Sequence, residues 1–212
     1  MAGSMTDIVN KRGGEPGNPA VRKKELRKRI LAMRDALTEA ERSSSEEKVT
    51  DAVLHLPEFL ASDSVLGFAS YGSEIGTEKI LLASLKAGKK VYLPKIVSLG
   101  GVETMEFYRV RNLEELKPGY RGILEPSLEA LNEEEPFLCT EASACRTLLI
   151  MPGVVFDRHG HRIGYGKGFY DRFLSEKFPF WDRTVAIGFP CQLLSEIPHE
   201  AHDKPVSRII CL

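Results

Sequence analysis

The alternation of short apolar runs with helical patterns constrains the fold of this chain most strongly. Four apolar runs have the length of β-strands: residues 65–69, 91–93, 147–151 and 185–189. Helical patterns occur between them, at residues 77–87 and from Gly168 onwards. Parallel strands require crossover connections of this kind. The order therefore predicts an α/β fold with a largely parallel sheet flanked by helices.

The first quarter of the chain predicts a leader and two helices. Residues 1–20 are rich in Gly, Pro and Asn and show no hydrophobic periodicity, so we expect a disordered leader that is partly a cloning remnant. A helix begins near Lys23, and Thr38 with Glu41 forms a capping-box pattern that opens a second helix towards His55. The first helix carries a predicted buried stripe of Leu26, Ile30, Met33 and Leu37.

Composition narrows the class of protein. The 29 basic and 30 acidic residues nearly cancel, whereas nucleic-acid-binding domains usually have a basic excess. No run approaches the roughly 20 apolar residues of a membrane helix. The four cysteines and five histidines lack the spacing of a disulfide scaffold or a zinc site. We expect residues 21–212 to form a single domain with an acidic loop at residues 129–141. We also expect the protein to be cytoplasmic and monomeric, without nucleic-acid or membrane partners.

The segment from Met151 to Asp171 carries the strongest chemical signal. It follows a predicted strand and precedes a predicted helix, which is where α/β folds place phosphate sites. Glycines at positions 164, 166 and 168 allow positive φ angles and bring backbone N–H groups close to an anion. Arg162 and Lys167 add positive charge beside these groups. The segment predicts an anion site, although a purely structural glycine turn has the same pattern.

Two familiar phosphate motifs do not match this segment. A Walker A loop requires a glycine where the chain has His161 and a Ser or Thr where it has Gly168. The dinucleotide-binding fingerprint G-x-G-x-x-G requires a third glycine at the position of Phe169. The glycine loop is therefore of another type.

The residues around this loop are similar to those of the 5-formyltetrahydrofolate cyclo-ligase family. Its members have a Pro-Gly-x-x-Phe-Asp segment, then Arg, a G-x-G-x-G loop, aromatic residues and Asp. This chain has these residues in the same order: Pro152, Gly153, Phe156, Asp157, Arg162, Gly164, Gly166, Gly168, Phe169, Tyr170 and Asp171. The resemblance runs from Lys23 to about Asp203 and includes Lys23-x-x-x-Arg27, Ser73-Glu74-Ile75-x-Thr77, Tyr92-x-Pro94, Gly122-Ile-x-Glu-Pro126 and His202-Asp203.

The resemblance implies an enzyme, an ATP-dependent ligase of folate one-carbon metabolism. The implied reaction closes 5-formyltetrahydrofolate to 5,10-methenyltetrahydrofolate and releases ADP and phosphate, with Mg²⁺ as the metal. Phosphorylation of the formyl oxygen converts it into a leaving group that N10 can displace. The resemblance also implies a three-layer Rossmann-like fold of the NagB/RpiA/CoA-transferase type.

The resemblance assigns site residues position by position. Those implied to bind ATP are Lys23, Arg27, Arg162, Gly164, Tyr165, Gly166, Lys167, Gly168, Phe169 and Tyr170. Those implied to bind the folate are Ala69, Tyr71, Glu74, Tyr165, Phe169 and Tyr170. The implied catalytic residues are Arg162 and Lys167, and the implied magnesium ligands are Asp171 and Asp203.

Helical geometry supports the assignment of the two N-terminal cations. At about 100° per residue, Lys23 and Arg27 lie roughly 60° and 100° from Leu26 and flank the apolar stripe. Lys24 and Lys28 lie about 160° from it, on the opposite side. The alternative interpretation is a solvated basic helix, and the phase favours an inward site for the first pair.

The acidic residues have ordinary structural alternatives. Glu74 and Asp171 could be first-turn acids favoured by a helix dipole. Asp203 could cap a turn. Asp157 is interpreted as a turn residue, because the Arg-His-Gly sequence after it is typical of a chain reversal.

Three positions depart from the family pattern. Arg121 stands where an aromatic residue often stacks on the folate, although Tyr120 is adjacent. Phe169 replaces a common Tyr, and Ser207 replaces a common Asp. The departures at Arg121 and Phe169 would motivate one alternative, an ATP-using relative with a changed acceptor. A second alternative is a folate- or nucleotide-binding regulator without turnover, although the retained cations and carboxylates implied for a triphosphate site argue against it.

Overall fold

The computed structural model describes residues 18–127, 136–178 and 180–212. The helices are α1 (Pro19–Asp35), α2 (Glu39–Leu54), α3 (Pro57–Leu60), α4 (Glu78–Lys86), α5 (Glu141–Ala144) and α6 (Phe169–Glu176). The strands are β1 (Ser64–Leu66), β2 (Lys90–Leu99), β3 (Val102–Val110), β4 (Leu116–Pro118), β5 (Leu124–Pro126), β6 (Thr147–Met151), β7 (Val155–Asp157), β8 (Arg162–Ile163), β9 (Thr184–Gly188), β10 (Leu193–Leu194) and β11 (Arg208–Cys211). Within these ranges, no helix combines the length and the apolar character needed to span a membrane.

A six-stranded sheet in the order β11-β9-β6-β1-β2-β3 organises the protein. Neighbouring strands are parallel except in the β2–β3 hairpin. The chain adds β2 and β3 on one side of β1 and later adds β6, β9 and β11 on the other. The strand order therefore reverses between β1 and β6, and the crevice at the carboxyl ends of such strands is where open α/β sheets bind ligands. The predicted largely parallel sheet is confirmed.

Alternate residues of the central strands fill two separate cores. Leu148 and Ile150 of β6 pack in a core with helices α2, α3 and α4. Leu149 and Met151 of the same strand pack in a core with α6. Because successive strand residues point to opposite faces, the sheet lies between two helical layers, as predicted.

The buried face of α1 differs from the predicted apolar stripe. Met33 is 46% exposed, and the buried residues of the helix are Lys23, Ile30 and Arg34. With Arg27, these residues have the i, i+4, i+7, i+11 spacing of the predicted stripe, displaced by three positions. The prediction of Met33 as a core residue is wrong, because α1 packs through Ile30 and directs a row of cations inwards.

The boundaries of α2 and α4 agree with the sequence patterns, whereas α1 begins earlier than predicted. Thr38 and Glu41 form the predicted capping box: the Thr38 N–H donates to Glu41 Oε2 at 2.8 Å and the Glu41 N–H donates to Thr38 Oγ1 at 3.3 Å. Helix α4 matches the predicted helix at residues 77–87 to within one residue at each end. Helix α1 begins at Pro19, inside the predicted leader, and residues 1–17 lie outside the described residues.

Strand boundaries differ more from the prediction. The run at residues 65–69 forms a strand only as far as Leu66. The run at residues 91–93 is the start of the ten-residue β2, whose long hairpin with β3 was not predicted. Pro94 is tolerated there because it lies beyond the part of β2 that pairs with β1. The predicted acidic loop at residues 129–141 lies mostly outside the described residues.

Candidate active site

A cavity of about 1150 Å³ opens beside the carboxyl ends of β1 and β6. The loop after β1 supplies Ala69, Tyr71 and Glu74, and the segment between β8 and α6 supplies a second wall. The start of α1 and the turn at residues 200–203 contribute further side chains. Every residue that the sequence analysis assigned to ATP, folate, metal or catalysis lines this cavity. The structure thus brings the predicted residues together, and their individual roles remain predictions.

The glycine loop, residues 164–168, connects β8 to α6. Gly166 has φ +95° and Gly168 has φ +66°, in the left-handed region that favours glycine, and Gly168 is the N-cap of α6. The predicted positive φ at Gly164 is wrong. A Cβ atom at Gly164 would lie 3.3 Å from Nη1 of Arg162, which is a tight contact. Arg27 Nε donates to the Gly164 carbonyl oxygen at 2.7 Å and ties α1 to the loop.

Lys23 is buried against the turn at residues 200–203. Its Nζ donates to Glu200 Oε2 at 2.8 Å and to Asp203 Oδ2. Burial alone would lower the pKa of Lys23, but the hydrogen bonds to Asp203 and Glu200 raise it above its ordinary value. Burial would raise the pKa of Asp203, and the hydrogen bonds from Lys23 and the Glu200 backbone hold it below its ordinary value. Both groups are therefore charged at neutral pH.

The predicted helical phase of α1 holds for three of the four basic residues to which it was applied. Lys23 and Arg27 line the cavity, and burial lowers the pKa of Arg27. Lys28 is exposed and lies away from the cavity lining. Lys24 is also exposed, but it contributes to the cavity rim, so its predicted position on the opposite side is wrong.

Arg162 and Asp171 form a second, partly buried ion pair. Arg162 is 7% exposed, and its Nη2 donates to Asp171 Oδ1 at 3.0 Å. The Lys204 N–H donates to the same oxygen at 3.2 Å, which ties Asp171 to the residue after Asp203. Within the described ranges, Oδ2 of Asp171 accepts no hydrogen bond and the buried Nε of Arg162 donates none. The two predicted metal ligands therefore belong to one end of the cavity.

Glu74 lies on the loop after β1. Its Oε2 accepts the Tyr71 N–H at 2.9 Å. Burial raises the pKa of Glu74, and the opposing contributions of the Tyr71 backbone, the Tyr165 hydroxyl and Arg34 do not cancel that rise. Burial and the nearby carboxylate in turn raise the pKa of Tyr165 to about 12, so its hydroxyl is a donor at neutral pH. The first-turn acid of α4 is Glu78, which removes the helix-dipole interpretation of Glu74.

Aromatic side chains line the same cavity. Phe169 packs edge-on against Tyr120 with ring centroids 5.9 Å apart, and Tyr170 packs edge-on against Phe107 at 6.5 Å. The guanidinium carbon of Arg121 lies 5.6 Å from the centre of the Tyr120 ring. Tyr120 therefore supplies an aromatic surface next to the position where Arg121 departs from the family pattern.

Asp157 and Ser207 lie outside the cavity lining. Asp157 is fully buried, and its Oδ1 accepts the His161 N–H at 3.0 Å while its Oδ2 accepts the Ile197 N–H at 3.2 Å. The prediction that Asp157 organises a turn is confirmed. Ser207 donates to the Thr184 carbonyl at 2.6 Å, so its departure from the family pattern does not alter the cavity.

Several polar residues at or near the cavity were not predicted as site residues. Arg34 is 3% exposed and lies 11 residues after Lys23, a spacing that could have placed it on the same helix face. Glu125 is 5% exposed, and its Oε2 lies 3.4 Å from Lys95 Nζ. Glu125 lies in the Gly122-Ile-x-Glu-Pro126 motif, but no local pattern in the sequence indicates its pairing with Lys95. Glu200, the second partner of Lys23, was missed for the same reason.

Comparison with known proteins gives one consistent result. The model of the 5-formyltetrahydrofolate cyclo-ligase family matches residues 19–211. The 5-formyltetrahydrofolate cyclo-ligase of Escherichia coli K12 is 28% identical over 85% of this chain and 95% of its own length. A probable 5-formyltetrahydrofolate cyclo-ligase of Schizosaccharomyces pombe is 30% identical over 90% of this chain and 95% of its own. The 5,10-methenyltetrahydrofolate synthetase structure from Aquifex aeolicus superimposes with a TM-score of 0.73, with 32% identity and 89% of each chain covered.

Proposed function

The chain belongs to the 5-formyltetrahydrofolate cyclo-ligase family, and we propose that it performs this family's reaction in the cavity beside β1 and β6. It is an enzyme of folate metabolism that converts 5-formyltetrahydrofolate to 5,10-methenyltetrahydrofolate. The observation that carries the proposal is the convergence of a glycine loop, two cation–carboxylate pairs and Glu74 in one cavity. ATP and Mg²⁺ complete the proposed reaction.

The proposed chemistry proceeds in two steps. The formyl oxygen attacks the γ-phosphorus of ATP, the bond from the γ-phosphorus to the β-γ bridging oxygen breaks, and ADP leaves. N10 then attacks the activated formyl carbon, and inorganic phosphate departs with the former formyl oxygen. N10 loses its proton, and the product is a conjugated methenyl cation. Catalysis of such a transfer comes mainly from alignment of the reactants and stabilisation of charge.

The glycine loop and the cations around it are suited to a triphosphate. The N–H groups at the start of α6 and of the glycine loop provide donors for phosphate oxygens. Lys23 and Arg27 contribute positive charge from α1, Arg162 contributes it from β8, and Lys167 contributes it from the loop. Charge-assisted hydrogen bonds of this kind are strengthened in a partly buried site. Arg162 and Lys167 are the proposed catalytic groups because they can stabilise the charge that develops as ADP leaves.

The acidic residues of the cavity fit Mg²⁺. Hard Mg²⁺ prefers oxygen ligands and usually takes one or two protein carboxylates in addition to phosphate oxygens and water. Asp171 and Asp203 supply two such carboxylates, and each already has a cationic partner, Arg162 and Lys23 respectively. The bound metal would screen the triphosphate charge. We propose that phosphate oxygens then engage Lys23 and Arg162 while the carboxylates engage the metal, so that every charge keeps a partner.

The loop after β1 and the aromatic residues are suited to the pterin. Glu74 can accept paired hydrogen bonds from the amino and ring N–H groups of a pterin. Tyr71 already occupies one of its carboxylate oxygens through a backbone N–H, which fixes the orientation of the carboxylate. Phe169 and Tyr170 present aromatic surface beside the glycine loop. This arrangement would place the formyl group next to the γ-phosphate.

A direct assay tests the function. Purified protein is mixed with 5-formyltetrahydrofolate, ATP and Mg²⁺, and formation of the conjugated methenyl product is followed by near-ultraviolet absorbance. We expect one ADP for each methenyl product and no product without ATP. Release of ADP without a methenyl product would favour a changed acceptor. Binding of both ligands without turnover would favour a regulator.

Three basic residues of α1 give a prediction about ATP. We expect Lys23→Ala and Arg27→Ala to raise KM for ATP roughly tenfold to a hundredfold, because hydrogen bonds to charged groups contribute about 1.5–3 kcal/mol. Lys28→Ala is the matched control and should change KM less than twofold, since Lys28 is exposed and outside the cavity. Steady-state kinetics at saturating folate measures the three values. Equal changes in all three variants would mean that general surface charge accounts for the helix.

A further inference from the structure

Arg34 is the third cation on the inward face of α1. At about 100° per residue, it lies roughly 20° from Lys23 and from Arg27 around the helix axis. It is 3% exposed, and within the described ranges its buried Nη1 has no hydrogen-bond partner. A buried guanidinium is costly unless its surroundings compensate for the lost hydration. The burial of Arg34 therefore indicates that this side chain has a specific role.

The contacts of Arg34 join the two walls of the cavity. Its Nε donates to Ser73 Oγ at 3.0 Å, and its Nη2 donates to the Tyr165 hydroxyl at 2.8 Å. Ser73 immediately precedes Glu74 on the loop after β1, and Tyr165 belongs to the glycine loop. Arg42 donates to the carbonyl oxygens of both Arg34 and Ser73, which fixes the backbone around the same junction. One planar guanidinium thus bridges the proposed folate-binding and ATP-binding loops.

We propose that Arg34 is a positioning residue for the cyclisation: it holds Glu74 and Tyr165 in fixed relation and adds a positive charge that favours the Glu74 carboxylate. This inference rests on the proposed function of the cavity. Arg34 is outside the cavity lining, so it acts through these two residues and not by touching the substrates. Its fork geometry makes the two hydrogen bonds simultaneously, which a lysine ammonium could not do in the same plane.

Electrostatics supports the second part of the role. Burial raises the pKa of Glu74, and the positive charge of Arg34 opposes that rise. The other groups that act on Glu74 from the elements around it are the Tyr71 N–H, the Tyr165 hydroxyl and the Tyr170 hydroxyl. Burial and the Glu74 charge raise the pKa values of both tyrosines, so neither tyrosine ionises near neutral pH. Arg34 is therefore the cationic group in this set that favours the carboxylate.

The test is the pH dependence of folate binding in the full-length protein without ATP. Calorimetric titration with 5-formyltetrahydrofolate is carried out across pH 5–9 on wild type, Arg34→Met, Arg34→Gln and Arg34→Lys. We expect folate affinity to fall as pH drops through the pKa of Glu74, with the midpoint at higher pH in the neutral Met and Gln variants. Arg34→Lys should keep the wild-type midpoint because it keeps the charge, but it should bind folate more weakly because it loses one of the two hydrogen bonds. Arg29→Met, at an exposed arginine of the same helix, should match wild type.

Circular dichroism verifies that each neutral variant is folded, and one folded neutral variant is sufficient for the test. If both fail to fold, a Lys variant with wild-type affinity at every pH would overturn the inference. If a neutral variant folds and shows the wild-type midpoint, the inference is also overturned, since a merely structural defect weakens binding equally at all pH values. Failure of the proposed function is distinguishable, because wild type itself would then form no methenyl product.

Discussion

We expect Asp171→Asn to lower kcat roughly 100- to 1,000-fold, the range seen when one group that stabilises charge in a transition state is removed. The amide oxygen of Asn can still accept the hydrogen bonds that Arg162 and the Lys204 N–H now donate to Oδ1. The fold should therefore persist. The variant loses the negative charge and the second carboxylate oxygen, which the proposal assigns to Mg²⁺.

The measurement is kcat as a function of free Mg²⁺ at saturating ATP and folate. The Mg²⁺ concentration for half-maximal activity should rise together with the loss of kcat. Asp182→Asn is the control, because Asp182 is an exposed aspartate outside the cavity, and it should behave as wild type. Near-normal activity of Asp171→Asn at low Mg²⁺ would remove Asp171 from the proposed metal site.

Glu74→Gln should lower kcat/KM for the folate roughly 5- to 150-fold, because an unpaired buried polar group costs about 1–3 kcal/mol. The Tyr71 N–H holds one acceptor oxygen of the side chain at 2.9 Å, so the Gln carbonyl should take that place. The NH₂ group then lies where the pterin needs a second acceptor. The shape of the side chain is kept, and its hydrogen-bonding character is reversed at one atom.

Calorimetric titration with each ligand alone decides between two sites for Glu74. The expected result is weakened folate binding with an ATP affinity close to that of wild type. Glu78→Gln, at the exposed first-turn acid of α4, should leave both affinities unchanged. Normal folate affinity with impaired ATP affinity would assign Glu74 to the nucleotide.

Local patterns predicted the glycine loop, and the family resemblance supplied the other candidate residues that line the cavity. The glycines indicated a turn between β8 and α6, and Gly166 and Gly168 do adopt the positive φ angles that glycine permits. Residues after β1 and after β6 converge because those strands are neighbours at the reversal of strand order. Strand order depends on pairing between distant segments, which local sequence patterns do not reveal. The candidate residues were therefore named from the sequence, but their spatial arrangement was not predicted.

The missed features depend on contacts between distant segments. Lys23 pairs with Asp203, 180 positions away, and no local periodicity encodes that contact. The inward face of α1 was misjudged because a stripe of Lys23, Arg27, Ile30 and Arg34 has the same spacing as the apolar stripe. Hydrophobicity favours burying Met33. Helix α1 instead buries the face that carries Lys23 and Arg34, because hydrogen-bond partners for these cations lie on neighbouring segments.

The fate of the formyl oxygen tests the central claim most directly. 5-Formyltetrahydrofolate labelled with ¹⁸O in the formyl group is incubated with the protein, ATP and Mg²⁺, and the released inorganic phosphate is analysed by mass spectrometry. If the formyl oxygen attacks the γ-phosphorus and leaves with it, each phosphate carries one ¹⁸O atom and ADP carries none. Unlabelled phosphate formed together with the methenyl product would contradict phosphorylation of the formyl oxygen in this cavity.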